Sequence, residues 1–181
     1  SMLPNEDRSG NKIVVPEKIT KVVSMAPSTA QVLDTLGLTD LLVAVDTQTP
    51  MYVEGVDKLP QYDMMTPDCE SLLELDPDIV FVSGVSYTGA EDPYQELTEA
   101  GICVAVIPSS DSIEGIEEDI EFIGSCFGME EESQAIVDEM VTAMDEISKI
   151  GETITDKKTV MFEISALPYI YSFGDKVFLE E

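Results

Sequence analysis

Two polar segments, each following a predicted strand, carry the residues best suited to ligand chemistry. Pro27, Ser28 and Thr29 stand between a β-branched apolar run that begins after Lys21 and a helical pattern that ends at Gly37. A turn there presents free backbone N–H groups and hydroxyls at the carboxyl edge of a parallel sheet, the usual ligand edge of such folds. The alternative is that Ser28 or Thr29 only caps the helix, and both roles can coexist.

The second segment follows the predicted strand DIVFVSG and resembles a nucleophile elbow without completing it. Thr88 stands where the last glycine of G-x-S-x-G would be, and without histidine Ser86 has no base. We interpret the segment as a wall of a binding cleft, to which Tyr87 adds an aromatic face and a hydroxyl. The alternative is an ordinary mobile βα loop. The segment comprises Ser83, Gly84, Val85, Ser86 and Tyr87.

Several chemistries are excluded by residues that the sequence lacks. No histidine occurs, which removes the commonest general base, the commonest metal ligand and every Ser-His or Cys-His arrangement. Neither GxxxxGK nor GxGxxG occurs, so nucleotide-binding enzymes lack support. We interpret Asp76 and Asp78, on either side of a proline, as a helix-ending turn and not as a metal pair. The isolated cysteines are predicted to be buried: Cys69, Cys103 and Cys126.

The charge balance excludes two classes of partner. The 181 residues carry 9 Lys plus Arg against 37 Asp plus Glu, and no positive side chain lies between Lys58 and Lys149. Nucleic acid and anionic membrane surfaces both need basic footprints, so neither is expected to bind. At 44% apolar residues the composition is typical of globular domains.

Apolar runs and amphipathic segments alternate along the chain, which predicts an α/β fold. The runs are continuously apolar, as strands of a parallel sheet covered on both faces are. Residues 47–67 are predicted as a loop. A long helix over 130–150, with Met140 and Met144 in its apolar stripe, would span about 30 Å and could bridge two lobes. Strands are predicted after Lys21 and over 41–46, 78–84 and 102–108, and helices over 69–75, 92–100 and 112–127 and in the segment that ends at Gly37.

Two stretches of the sequence carry a family resemblance. The unit VVSMAPSTAQVLDTLGLTDLLVAVD, the segment CESLLELDPDIVFVSG and the long helix leading into a new strand resemble the substrate-binding proteins of ABC importers for ferric siderophores, cobalamin and haem. The resemblance implies a three-layer Rossmann-like lobe with a mainly parallel sheet, a long linker helix and a truncated second α/β lobe. The corresponding ranges are 1–20 for a flexible tail and lead-in, 21–128 for the amino-terminal lobe, 129–154 for the linker helix and 155–181 for the second lobe.

The same resemblance implies a function without covalent chemistry. We expect an extracytoplasmic receptor, periplasmic or a cell-surface lipoprotein, that captures a metal chelate between lobes and delivers it to an ABC permease and its ATPase subunit. No cofactor and no resident metal are expected, and the ligand is a ferric siderophore, a corrinoid or haem. The lack of histidine weakens haem ligation. With Arg8 in the tail, the lobe also lacks an obvious clamp for an anionic siderophore.

The resemblance also assigns roles to particular residues. Glu70 falls where family members place a surface glutamate that docks onto a permease arginine, although a solvated helix acid is the plain alternative and one exposed ion pair contributes about 1 kcal/mol or less. Gln31 departs from the family pattern, which often has glutamate there. The implied ligand contacts are Pro27, Ser28, Thr29, Asp46, Thr47, Ser83, Gly84, Val85, Ser86 and Tyr87, with Tyr169 and Tyr171 from the second lobe.

Two other function classes remain as alternatives. One is an enzyme on a flavodoxin-like or related sheet, using carboxylates such as Asp46 with a bound metal or flavin; no motif supports it. The other is an acidic interaction module that uses helix 130–150 as a partner surface. Uncovered side chains at Met140 and Met144 would favour this module.

A truncated second lobe would leave the apolar strand TVMFEIS with an uncovered edge, which is a template for pairing with another chain. We therefore predict self-association through Thr159 to Leu179. Light scattering at micromolar concentration is expected to give a mass above that of the monomer, and a monomeric mass would count against this prediction.

Overall fold

Parallel strands covered on both faces form the centre of the structure. The computed structural model describes residues 2–153. Its sheet strands are β1 (Val22–Met25), β2 (Leu42–Asp46), β3 (Gln61–Tyr62), β4 (Ile79–Ser83) and β5 (Cys103–Ile107). They lie in the spatial order β3-β2-β1-β4-β5 with every neighbouring pair parallel, so the predicted parallel sheet is confirmed.

Helices cover both faces of this sheet. Successive strand residues point to opposite faces. The helices are α1 (Pro27–Thr35), α2 (Cys69–Glu74), α3 (Gln95–Glu99), α4 (Ile113–Cys126) and α5 (Glu130–Glu152). Ile79 and Phe81 of β4 join an apolar cluster with residues of α1, α4 and α5, whereas Val80 and Val82 join a second cluster with residues of α2 and α3. The predicted three-layer architecture is confirmed.

Side-chain caps fix where two of the helices begin. Asp68 accepts a hydrogen bond from the backbone N–H of Ser71 at 3.1 Å, at the start of α2. Ser112 accepts one from the N–H of Gly115 at 3.0 Å, so the predicted cap of α4 is confirmed. These bonds satisfy N–H groups that have no acceptor inside the helix.

The segment predicted as a loop over 47–67 contains one further strand. Residues Gln61–Tyr62 pair with β2 at the edge of the sheet, and Thr49–Met51 form a 3₁₀ turn. A two-residue strand with an exposed Gln61 has neither alternation nor an apolar run, so the sequence gives no signal for it.

The expectation of a flexible tail over residues 1–20 is wrong for its described part. Glu6 and Lys12 form an antiparallel bridge, which closes an amino-terminal hairpin of residues 5–13. The carboxylate of Asp7, a residue only 6% exposed, accepts hydrogen bonds from Asn11 and from the backbone N–H of Val106 on edge strand β5, at 2.9–3.0 Å. At this edge of the sheet, polar residues of the hairpin bond to β5 where a further strand could have paired. Hydrophobic periodicity detects only apolar patterns, so it could not predict this arrangement.

The long helix α5 packs on α4 through its first half. Ile136, Val137 and Met140 are buried, whereas Ile150 is 55% exposed. Buried Met140 counts against an interaction module that uses this helix face. The linker role of α5 stays a prediction. The expected second-lobe strand, the self-association segment, Tyr169 and Tyr171 lie outside the described residues.

The contact between α4 and α5 depends on a glycine. A Cβ built at Gly124 would lie 2.4 Å from the Cβ of Ser133 and 2.9 Å from the carbonyl oxygen of Met129. Ser133 is itself buried, so neither side of the contact has space for another carbon.

Replacing Gly124 with Ala is therefore expected to lower the free energy of unfolding by about 2 kcal/mol through overpacking, measured by urea denaturation. The matched control is Gly151→Ala, because Gly151 lies in α5 with no heavy atom within 4 Å of the added Cβ. Better helix propensity there is expected to raise stability by up to about 1 kcal/mol. Equal stabilities for the two variants would contradict the close approach of α4 and α5.

Candidate functional site

A cleft of about 360 Å³ opens at the carboxyl edge of the sheet. The chain builds β1, β2 and β3 outward in one direction and then returns to place β4 and β5 on the other side of β1. The crevice beside such a switch point is where open α/β sheets bind ligands. Residues after β1, β2 and β5, the end of β4 and one face of α4 line the cleft.

The first wall of the cleft is the beginning of α1. Pro27, Ser28 and Thr29 all line it, as predicted, and Gln31 lines it as well. Neither hydroxyl caps the helix, because the N-cap position is held by Ala26 and no side chain bonds there. The capping alternative is therefore wrong. The first N–H groups of a helix lack intrahelical acceptors, so this wall offers donors to a ligand oxygen.

The second wall comes from the ends of β4 and β5. Ser83 lines the cleft as predicted, together with the segment from Ile107 to Ser110, which the sequence analysis did not select. A Cβ on Gly84 would lie 3.0 Å from the Cα of Pro108, so glycine allows the two loops to meet. Ser109 and Ser110 follow β5 at the same edge of the sheet. The rule that residues directly after parallel strands lie at the ligand edge could have identified them.

The residues of the turn Gly84–Tyr87 do not line the cleft. Ser86 is buried and donates to the carbonyl oxygen of Met64 at 2.8 Å, and the hydroxyl of Tyr94 donates to the same oxygen at 2.7 Å. The ring of Tyr87 packs against Tyr94, with centroids 6.3 Å apart, and burial raises the pKa of both phenols. Val85 is 43% exposed but does not line the cleft. The structure therefore does not bring Val85, Ser86 or Tyr87 to the cleft.

The loop after β2 reaches the cleft through residues that the sequence analysis missed. Asp46 is buried and accepts hydrogen bonds from the N–H of Gln48, at 2.9 Å, and from the hydroxyl of Thr49. Exposed Thr47 bonds through its backbone to β3. Neither Asp46 nor Thr47 lines the cleft, but the turn that Asp46 holds places Gln48 and Tyr52 there.

The third wall is α4, which adds a charged side chain. Among residues 2–153, Asp119 is the one charged side chain that lines the cleft. It is 8% exposed and accepts hydrogen bonds from the hydroxyl of Ser110 at 2.6 Å and from Nε of Arg8 at 2.8 Å. Burial raises the pKa of Asp119, and the bonds from Ser110 and Arg8 oppose this shift.

Neither thiol nor metal chemistry is supported by the part of the chain that is described. Burial raises the pKa of all three cysteine thiols, to about 11 for Cys103 and about 12 for Cys126, so they are neutral and enclosed as predicted. Residues 2–153 contain no group of three His, Cys, Asp or Glu side chains placed to hold a metal ion. Within the same residues, no helix combines the length and apolar character needed to cross a membrane.

Glu70 lies away from the cleft. It is exposed in the first turn of α2 and does not take part in the cap that Asp68 provides. An acid in this position is stabilised by the helix dipole.

Comparison with known proteins gives a consistent result. The family described as periplasmic binding protein matches residues 22–180. The uncharacterized ABC transporter substrate-binding lipoprotein YvrC of Bacillus subtilis (strain 168) is 29% identical over 178 residues, which are 97% of this chain and 56% of YvrC. The petrobactin-binding protein YclQ of the same organism is 27% identical over 157 residues, which are 84% of this chain and 44% of YclQ.

A solved structure agrees with these sequence matches. A possible iron-binding (periplasmic solute-binding) protein from Staphylococcus epidermidis superposes with a TM-score of 0.73 at 26% identity, over 90% of this chain and 63% of that one. The chain thus spans about half the length of the curated relatives that it matches.

The inward bond of Ser86 leads to a stability prediction. Ser86→Ala removes one of the two donors to the Met64 carbonyl, so we expect the free energy of unfolding to fall by about 1 kcal/mol in a urea titration. Thr88→Ala is the control, because Thr88 is exposed two residues further along the same segment. A Ser86→Ala protein as stable as the control would show that the hydroxyl is not held inward.

Proposed function

Because the chain belongs to the periplasmic binding protein family, we propose that it is the solute-binding component of an ABC importer and that the cleft holds part of the transported ligand. The observation that carries this proposal is the position of the cleft at the switch point of a parallel sheet, with walls from the connections after β1, β2 and β5, the end of β4 and one face of α4. Ligand binding there needs no chemical step.

The composition of the cleft supports binding of an oxygen-rich ligand. Hydroxyl and amide side chains and the N–H groups at the start of α1 offer hydrogen bonds, and the half-exposed ring of Tyr52 offers a surface for stacking. We propose a ferric siderophore or a corrinoid as the ligand. YclQ is described as binding petrobactin and the S. epidermidis protein as possibly binding iron, which supports the class without selecting a member.

The geometry argues against the enzyme alternative. Asp46, the carboxylate on which that alternative depended, is occupied by the turn that it stabilises. Asp119 is paired with Arg8 and Ser110. The Ser110 hydroxyl lies beside that carboxylate, but Arg8 already holds it, and the sequence has no histidine that could activate a nucleophile.

The same family supports a set of partners and a location. We propose that the protein acts outside the cytoplasm, periplasmic or lipid-anchored, and delivers its ligand to a permease with an ATPase subunit. Glu70 is our choice for the acid that docks on the permease, since it is exposed and does not line the cleft. A charged contact of this kind orients two proteins more than it holds them together.

The proposal is tested by calorimetric titration of the complete gene product with ferric siderophores, cobalamin and haem. We expect submicromolar binding of a ferric siderophore or cobalamin, and we expect Tyr52→Ala to weaken it about tenfold by removing a stacking surface. Met51→Ala is the matched control, because Met51 is exposed beside Tyr52 but does not line the cleft. Absence of binding to every member of the panel would overturn the ligand assignment.

A further inference from the structure

The amino-terminal hairpin contacts Asp119, a residue of the cleft wall, through Arg8. We infer that Arg8 is a positioning residue of the ligand cleft, which holds Asp119 and Ser110 in place and makes ligand affinity depend on the charge of the ligand. The inference deepens the proposed function and rests on it, since it concerns the same cleft. Arg8 does not line the cleft and acts through Asp119.

The contacts form a short chain from the hairpin to the cleft wall. Nε of Arg8 donates to one carboxylate oxygen of Asp119 at 2.8 Å, and the Ser110 hydroxyl donates to the other oxygen at 2.6 Å. The second guanidinium contact is with Glu118, at 2.6 Å. Both Asp119 and Ser110 line the cleft, so a change at Arg8 would be transmitted to two wall residues.

The hairpin is anchored well enough to hold Arg8. Asp7, the preceding residue, is buried and accepts the backbone N–H of Val106 at 2.9 Å. The Arg8 side chain is itself only 24% exposed. The backbone of Arg8 is thus fixed, and two carboxylates share its guanidinium. Orienting Asp119 therefore costs the arginine side chain little further conformational entropy.

The same contacts set the charge of the cleft wall. Arg8 and Glu118 are the charged groups that contact or influence Asp119, one from the hairpin and one from its own helix. No lysine or arginine lies between Lys58 and Lys149, so that stretch offers no cation to replace Arg8. Without Arg8 the wall keeps the Asp119 carboxylate, with Glu118 next to it on α4, and loses the cation that pairs with both in the described structure, which disfavours an anionic ligand and favours a cationic one.

The packing around Ser110 strengthens the case for positioning. A Cβ built at Gly115 in α4 would lie 3.0 Å from both Cβ and Oγ of Ser110. Ser110 is therefore held between the first turn of α4 and the carboxylate of Asp119. Its hydroxyl has a defined direction only while Asp119 keeps its own orientation.

The test compares Arg8→Gln with Lys12→Gln in the complete gene product. Both variants remove one positive charge from the hairpin, but Lys12 pairs with Glu6 at the surface and does not line the cleft. The probes are ferrioxamine B, a cationic ferric trihydroxamate, and ferric enterobactin, an anionic ferric tris-catecholate. The second readout is the pKa of Asp119, followed by the carbon-13 signal of its carboxyl group.

Arg8→Gln is expected to weaken binding of the anionic chelate relative to the cationic one by at least about fivefold, which is the order expected for one unit charge at close range. Lys12→Gln is expected to leave that ratio unchanged. Arg8→Lys, which keeps the positive charge, is expected to retain most of the wild-type ratio of the two affinities. An equal loss for both chelates with Arg8→Gln would mean that the arginine is merely structural and would overturn the inference.

The carboxyl signal separates this inference from the proposed function. If the wild-type protein bound neither chelate, the proposed siderophore assignment would fail, and the pKa of Asp119 would still decide the role of Arg8. That pKa is expected to rise in Arg8→Gln, because the charged carboxylate loses its partner, and to stay constant in Lys12→Gln. An unchanged pKa in Arg8→Gln would overturn the inference.

Discussion

Every strand in the described sheet runs in the same direction, and most of the remaining structure follows from that constraint. A parallel strand can be joined to the next only by a crossover that passes over one face of the sheet, so helices must cover both faces. The crossovers return every strand end to one edge. Because β1 lies at the centre and the chain extends first to one side and then to the other, its end and that of β4 frame a crevice. The cleft is thus a consequence of strand order.

Polar residues at that edge divide into those that build the loops and those that the loops present. Asp46 and Ser86 are turned inward and bonded to the backbone or to a neighbouring side chain, as buried polar groups must be. Ser28 and Tyr52 remain on the cleft wall. A side chain with hydrogen-bonding capacity can serve either purpose, and its position after a strand does not distinguish them.

The amino-terminal hairpin protects an edge of the sheet and also contacts Asp119 of the cleft wall. Strand β5 ends the sheet, and a bare edge exposes N–H and C=O groups that can pair with other chains. The carboxylate of Asp7 meets one of these N–H groups, and Arg8 connects the same hairpin to the carboxylate on α4. One short polar segment thus covers the edge of the sheet and contributes a positive charge next to the cleft wall. The hairpin of residues 5–13 therefore packs on the lobe and is not a flexible tether.

The sequence by itself determined the parallel sheet, the layers, the main helices and the family, because apolar runs such as that in β4 report burial and the glycine and proline positions report chain reversals. It also placed Pro27 to Thr29 and Ser83 at the ligand edge, since every strand of a parallel sheet ends there. Only the tertiary structure decided that Ser86 faces Met64, that Gln48 and Tyr52 reach the cleft, and that Arg8 meets Asp119 across 111 positions of sequence. Those outcomes depend on side-chain direction and on contacts between distant segments, and neither leaves a local pattern in the chain.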